Sequence, residues 1–140
     1  MRILLAVDGS KFTKKALAFL STHEGLAGPE DHLVVLHVQP PLSPRVKSMV
    51  GADAVREYQA EESAKVLKPI EKFLKNHAIP FETQWVVGSP VAEIIGAAKK
   101  KKAHMIVMGT HGHGLLGRAL MGSVAQRVVA DSDLPVLLVK

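Results

Sequence analysis

The chain contains no cysteine among its 140 residues, which excludes disulfide bonds, thiolate nucleophiles and cysteine-ligated metal centres. Aromatic residues make up only 4% and are scattered, whereas proteins that bind single-stranded nucleic acid interleave aromatic and basic residues. Long apolar runs are also missing, and no stretch approaches the roughly 20 residues that a transmembrane helix needs. The remaining composition, 47% hydrophobic and 22% charged, is typical of one globular domain.

Acidic residues are outnumbered by basic ones, which gives a formal net charge of +5 and a pI near 9.6. The basic run Lys99–Lys102 falls at the end of a predicted helix, where cations suit the helix dipole. We therefore interpret the excess charge as solvated surface, and we expect neither a nucleic-acid nor a membrane partner. The apolar residues 3–7 meet Asp8 too early for a secretion signal, so we expect a cytoplasmic protein.

Aliphatic runs and helical spacings alternate along the chain. The predicted strands cover residues 2–7, 32–38, 81–87, 105–109 and 135–139. The predicted helices run from the N-cap Ser10 to about 23, from 53 to about 77, from Ser89 and Pro90 to about 101, and from Ser123 to about 130. Residues 40–51 hold three prolines and are predicted to form a loop, and Pro69 is expected to kink or split the second helix.

This alternation predicts an α/β fold in which four helices cover both faces of a five-stranded parallel sheet. With the doubly wound strand order 3-2-1-4-5, the order reverses between the first and fourth strands. Ligands bind such sheets at the carboxyl edge, where the order reverses. Asp8 and Gly109 stand at the ends of these two strands, so we expect both at the ligand crevice.

A glycine-rich segment leads from the fourth strand into the last helix. Gly109 and Gly112 are followed, after nine residues, by Gly122 and Ser123, and such a loop before a helix exposes backbone N–H groups to a phosphate. Glycine suits this task because a Cβ would hold the ligand away and would disfavour positive-φ turns. Ser123 and Gln126 also match a capping box, so the Ser123 hydroxyl could cap the helix, contact a phosphate, or do both.

The segment 109–123 resembles the ATP-binding subgroup of the universal stress protein family, which carries Gly-x2-Gly-x9-Gly-Ser/Thr after its fourth strand. The resemblance covers nearly the whole chain and includes residues 3–10, 36–38, 88–90 and 133–139. It implies a single domain over residues 1–140, with a Rossmann-like fold similar to that of the adenine nucleotide alpha hydrolases. It also implies a cytoplasmic stress-response homodimer modulated by ATP, with or without Mg²⁺, and it leaves AMP or another adenine nucleotide as an alternative ligand.

Residue by residue, the resemblance implies a nucleotide site at the crevice. Asp8 would line the adenine and ribose end, the Val38 backbone would contact the adenine edge, and Met108 would lie against the nucleoside. The phosphates would be held by Gly112, Gly122, Ser123 and Val124. The full set of candidate binding residues is Ala6, Val7, Asp8, Val38, Met108, Gly109, Gly112, His113, Gly122, Ser123 and Val124. The homodimer would pair the fifth strands through Val136–Val139, whose open apolar edge needs covering.

Some of these residues have other interpretations. Asp8 could act only as a turn residue bonded to the local backbone. His111 and His113 are too few for a dedicated metal site, although with Arg118 they could add positive charge beside a phosphate. A His-x-Gly-His motif is typical of nucleotidyltransferases, but there it follows the first strand, whereas here the histidines follow the fourth.

No catalytic residue is assigned from the sequence. There is no P-loop lysine and no Ser-Gly-Gly-x-Asp-Ser pyrophosphatase loop, and the carboxylates of the long helix alternate with lysines as on a solvated face. His37 and His104 are expected to pack or cap rather than to catalyse. Two alternatives stay open: an interaction protein of the same fold that binds no nucleotide, and a slow ATPase.

Overall fold

Strands and helices alternate in the computed structural model, which describes residues 1–112 and 121–140. The strands are β1 (Arg2–Val7), β2 (His32–Gln39), β3 (Phe81–Val87), β4 (Met105–Gly109) and β5 (Val136–Val139). The helices are α1 (Lys11–Ser21), α2 (Pro44–Val50), α3 (Ala52–Asn76), α4 (Pro90–Lys100) and α5 (Ser123–Asp131).

All five strands pair in parallel in the order β3-β2-β1-β4-β5, which confirms the predicted sheet. Strand β1 lies at the centre, where Leu5 is in register with Val35 on one side and with Val107 on the other. The order reverses between β1 and β4, so the carboxyl ends of these two strands form the switch point.

The core has one layer on each face of the sheet. Residues Ile3 and Leu5 of β1 pack towards α1 and α3, whereas Leu4 packs towards α4 and α5. This alternation follows from the two-residue period of a strand, and all three side chains are fully buried. A sheet covered on both faces explains why its central strands are continuous apolar runs.

The segment expected to be a loop contains a short helix, so that prediction is wrong for residues 44–50. Ser43 begins helix α2 by accepting a hydrogen bond from the Val46 N–H at 3.3 Å, and Pro44 occupies the first helical position. A proline at this position is pre-set for a helix and has no N–H to leave unpaired. Helix α2 is a fifth helix beside the four expected, and none of its residues is buried.

Pro69 does not split the long helix. Helix α3 continues through it from Ala52 to Asn76, and Leu67, Ile70 and Leu74 on its inner face are buried against the sheet. Packing of this face therefore outweighs the local penalty of one missing N–H. No helix in the described part of the chain is long and apolar enough to cross a membrane.

Candidate functional site

A cavity of about 410 Å³ opens at the switch point, between the carboxyl ends of β1 and β4 and the start of α5. Ten of the eleven candidate residues line it: Ala6, Val7, Asp8, Val38, Met108, Gly109, Gly112, Gly122, Ser123 and Val124. The eleventh candidate, His113, lies outside the described residues, as does Arg118. The candidate residues come from both halves of the chain, and the fold places these ten around one cavity.

The cavity wall also includes residues that the sequence did not single out. They are Thr13, Leu36, Pro90, Ile94, Thr110, His111 and Ala125, of which only His111 was weighed beforehand as a phosphate contact. The alternation of side chains along a strand could have identified Leu36, because it lies two residues before Val38 on the same face of β2. No sequence pattern pointed to Thr13, because its place in the cavity wall depends on how the first turn of α1 packs.

The wall combines apolar side chains with polar groups. Leu36, Met108 and Ile94 are buried and belong to one apolar cluster. Asp8, Ser123 and backbone from the glycine segment make up the polar part of the wall. Such a division between apolar and polar lining suits a ligand with an apolar portion and a charged portion.

Helix α5 presents unpaired backbone N–H groups to the polar side. Its N-cap is Gly122, whose carbonyl accepts the first helical hydrogen bond from the Gln126 N–H at 3.0 Å. The N–H groups of Ser123, Val124 and Ala125 therefore precede the helical ladder, and none of them has a hydrogen-bond partner among residues 1–112 and 121–140. They stand where a helix dipole favours an anion.

The predicted capping box is wrong. Gly122 rather than Ser123 is the N-cap, so Ser123 occupies the first helical position and does not cap. Gln126 accordingly does not bond back to residue 123; its Nε2 donates to the Met121 carbonyl at 3.1 Å. The Ser123 hydroxyl is left for the cavity rather than for the helix terminus.

Asp8 orders the turn before α1 and also lines the cavity. Its Oδ1 accepts hydrogen bonds from the Ser10 N–H and from the Thr13 hydroxyl, both at 2.9 Å, which fixes the turn before α1. Its Oδ2 lies beside Gly112, where an added Cβ would come within 2.7 Å of it. One carboxylate oxygen thus orders the turn, while the other borders the cavity.

Two glycines of the motif, Gly109 and Gly112, allow close approach of neighbouring atoms rather than special backbone angles. A Cβ at Gly109 would lie 2.5 Å from the Phe12 Cβ, so glycine is required there by packing of α1 on β4. The expectation of positive φ is wrong for Gly109, Gly112 and Gly122; Gly122 has a φ of −71°. In the described chain, the glycines with positive φ are Gly9 and Gly51.

The histidines of the described chain have structural partners. His37 is buried; its Nδ1 lies 2.9 Å from the Val7 carbonyl and its Nε2 2.9 Å from Nε2 of Gln39. The Nδ1–H therefore donates to the carbonyl, and the other ring nitrogen accepts from the amide. His104 is exposed, and its Nδ1 accepts from the Arg2 N–H at 2.9 Å, so His37 packs in the core and His104 caps the start of β1.

His111 lies in the cavity wall with its Nδ1 2.8 Å from the Thr110 hydroxyl. Its ring lies 4.8 Å from the Phe12 ring, measured between centroids. The described residues contain no group of three or more potential metal-ligating side chains, so nothing there forms a ready-made metal centre.

The carboxylates with displaced pKa values lie far from the cavity, at the amino end of the sheet. A hydrogen bond from Lys101 holds the pKa of Glu82 below its usual value, and His32 adds to the effect. A hydrogen bond from the amino terminus of Met1 likewise lowers the pKa of Asp31. The ion pairs of Glu82 and Asp31 therefore stabilise the fold at the end of the sheet opposite the cavity.

Comparison with curated proteins finds several universal stress proteins. A universal stress protein of Thermus aquaticus is 34% identical over 139 residues, which cover 99% of this chain and 97% of that protein. Universal stress protein MJ0531 of Methanocaldococcus jannaschii is 41% identical over 88 residues, which cover 63% of this chain and 52% of that protein. The match therefore spans about half the length of MJ0531 but nearly all of the Thermus protein.

Solved structures share the fold. The structure of MJ0577 from Methanocaldococcus jannaschii has a TM-score of 0.85 and 29% identity, covering 99% of this chain and 94% of that one. An Arabidopsis thaliana protein with AMP bound has a TM-score of 0.69 and 18% identity, covering 100% and 91%. An Archaeoglobus fulgidus protein in complex with dAMP has a TM-score of 0.63 and 21% identity, covering 100% and 98%. The family model for universal stress proteins matches residues 1–140, and the chain belongs to that family.

Proposed function

We propose that this universal stress protein binds an adenine nucleotide, ATP in particular, in the cavity at the switch point. The observation that carries the proposal is the cluster of three N–H groups at the start of α5, which have no hydrogen-bond partner among the described residues and border a cavity that also has apolar lining. Two solved proteins of the same fold hold AMP and dAMP, which supports an adenine nucleotide as the ligand class.

The division of the cavity suggests how the nucleotide lies. The adenine ring packs against Leu36, Val38 and Met108, which provide a flat apolar surface. The ribose lies towards Asp8, and the phosphates meet the N–H groups of Ser123 and its neighbours. Mg²⁺ enters with the triphosphate, since in such sites it is held by substrate phosphates, one or two carboxylates and several retained waters.

The protein acts in this proposal as a cytoplasmic, nucleotide-modulated dimer rather than as an enzyme with a dedicated base. Strand β5 is at the edge of the sheet, and its four residues Val136–Val139 are half-buried and apolar. An apolar edge strand of this kind invites pairing with a second copy. Pairing there would leave the nucleotide one strand away, on β4 and α5.

Calorimetric titration with Mg-ATP tests the site. We expect wild-type binding to be lost in Gly122→Val, because the branched side chain would occupy the entrance of α5. Ser123→Pro removes one N–H at a position where proline is tolerated in a helix, and we expect binding at least about tenfold weaker. Ser123→Ala, which removes only the hydroxyl, should weaken binding less.

Gly96→Ala is the matched control, because an added Cβ there meets nothing within 4 Å and Gly96 lies outside the cavity. Its ATP affinity should equal that of the wild type. If the wild type released no heat with millimolar ATP and no nucleotide copurified with it, the proposal would be wrong. The alternative function, an interaction protein of the same fold that binds no nucleotide, would then describe this protein better.

A further inference from the structure

We propose that Lys11 and Lys15, packed around Phe12 on α1, form a cationic rim that selects nucleotides with a polyphosphate tail over monophosphates. The inference rests on the proposed nucleotide site and extends it to a residue set outside the glycine motif. The two lysines lie on an element that contributes only Thr13 to the cavity wall.

The rim is continuous with the cavity through two aromatic rings. The Nζ atoms of Lys11 and Lys15 lie 5.2 and 5.3 Å from the centroid of the Phe12 ring. That ring is 4.8 Å from the ring of His111, which lines the cavity. Both ammonium groups are therefore at most about 10 Å from the His111 ring, close to the screening length at 0.1 M salt.

The position of Lys11 and Lys15 near the cavity follows from their spacing on α1 and from Gly109. Lys11 and Lys15 are four residues apart on α1, so they share a face of the helix. Gly109 lets the first turn of α1 approach the end of β4, because a Cβ there would collide with Phe12. The same contact that fixes α1 on the sheet thus brings two cations to the cavity.

The charge of the cavity wall explains what the rim would add. Within the described residues the wall contains one carboxylate, Asp8, and neither lysine nor arginine. The start of α5 provides only about half a positive charge, which suits one phosphate. A cavity of about 410 Å³ is also towards the lower end of the usual ligand range, so outer phosphates would lie near its mouth. Because screened attraction weakens with distance, positive charge at the rim acts more strongly on outer phosphates near the mouth than on the first phosphate, which meets α5.

The test compares ATP with AMP in buffer containing EDTA, where ATP carries more negative charge than AMP. Calorimetry is run on the wild type and on the double variant Lys11→Gln/Lys15→Gln. We expect ATP to bind roughly threefold to tenfold more weakly to the double variant, as two solvent-screened cations would give, and AMP to bind equally to both proteins. The difference for ATP should shrink at high salt, about 0.5 M, because salt screens the rim.

Lys68→Gln/Lys72→Gln is the matched control. It removes two lysines four residues apart from α3, a helix that contributes nothing to the cavity wall, and both nucleotides should bind it as they bind the wild type. Circular dichroism melts confirm that each variant is folded. Equal loss for ATP and AMP, no loss for ATP, or the same loss in the control would each overturn the rim and leave the nucleotide site intact. Failure of the wild type to bind AMP, ATP and also Mg-ATP would refute the site itself.

Discussion

Gly109 is explained by packing before any ligand is considered. Its neighbour across the α1–β4 contact is Phe12, whose Cβ and backbone leave no space for a side chain. The first glycine of the Gly-x2-Gly-x9-Gly pattern therefore fixes where α1 begins relative to β4. Because Asp8 and Ser10 precede α1, the shape of the cavity also depends on this contact.

Gly109→Ala should lower the free energy of unfolding by about 1 to 3 kcal/mol, because the added methyl group overlaps Phe12 and the helix must shift. Urea denaturation measures the change. Gly96→Ala serves as the control; it lies within α4 with open space around it and should raise stability by up to about 1 kcal/mol. Equal stability of Gly109→Ala and the wild type would show that the contact with Phe12 relaxes without loss.

At the scale of single residues, spacing predicted positions better than it predicted contacts. Motif spacing placed Gly112 and Ser123 at the cavity, since strand ends and helix starts meet at the sheet edge. It placed the cap of α5 one residue too late, because helix ends depend on local hydrogen bonds that the pattern leaves open. The bond from Thr13 to Asp8 was not predictable, since it forms only after α1 docks.

At the scale of elements, tertiary packing decided the cases in which local rules failed. The buried positions of α3 repeat every three or four residues: they are Val55, Gln59, Ser63, Leu67, Ile70 and Leu74. This continuous inner face carries the helix through Pro69, although proline alone predicts a break. Helix α2 shows the converse, because capping by Ser43 and Pro44 forms a helix that buries nothing.

Glu82 joins three elements at the amino end of the sheet. The side chain belongs to β3, and its oxygens lie 2.6 Å from Lys101 Nζ at the end of α4 and 3.4 Å from His32 Nε2 on β2. Lys101, and to a lesser extent His32, stabilise the charged carboxylate and lower its pKa from the ordinary value of 4.5. The arrangement ties the edge strand β3 to the rest of the sheet.

The stabilisation by Glu82 should depend on pH. A folded pKa below the unfolded one gives a contribution that is complete above about pH 5 and lost as the pH falls through 4.5 towards the folded value. We expect Glu82→Gln to be less stable than the wild type at pH 7, by less than about 1 kcal/mol because the side chain is 40% exposed. At pH 3 the difference should be smaller.

Urea denaturation at several pH values between 3 and 7 measures this dependence. Glu57→Gln makes the same chemical change on the exposed face of α3, where Glu57 has no ion pair within the described chain, and its difference from the wild type should not vary in this way. A pH-independent difference for Glu82→Gln would contradict the assigned ion pairs.

At the scale of the whole molecule, the alternation of elements was sufficient to predict a parallel sheet covered on both faces, and it limited the strand order to a few possibilities. Right-handed crossovers leave few ways to arrange five parallel strands joined by helices, and the order β3-β2-β1-β4-β5 is one of them. The sequence could not predict which residues from distant elements, such as Ile94 and Thr13, complete the cavity wall. Whether a helical residue lines the cavity depends on the rotation of its helix about its own axis in the packed structure.

Within residues 1–112 and 121–140, the edge of β5 that faces away from β4 has a defined set of unpaired backbone groups. The Pro135 and Val139 carbonyls accept hydrogen bonds from the Ile106 and Thr110 N–H groups, so odd-numbered residues of this segment face β4. In a parallel pair, the N–H and C=O groups of the intervening residues point the other way. Val136 and Leu138 therefore direct their backbone groups to the edge where a second copy would pair.

Amide hydrogen exchange by NMR distinguishes a dimer built on this edge from a monomer. In the dimer, the N–H groups of Val136 and Leu138 should exchange slowly, because a partner strand accepts their hydrogen bonds. Dilution below the dissociation constant should make the Val136 and Leu138 N–H groups exchange rapidly. Sedimentation measured on the same dilution series reports when the dimer dissociates. The Leu137 N–H faces β4 and is the internal control, since it should stay protected at every concentration. A dimer in which Val136 and Leu138 exchange rapidly would place the interface on another surface, and a nucleotide bound at β4 would then have no direct route to it.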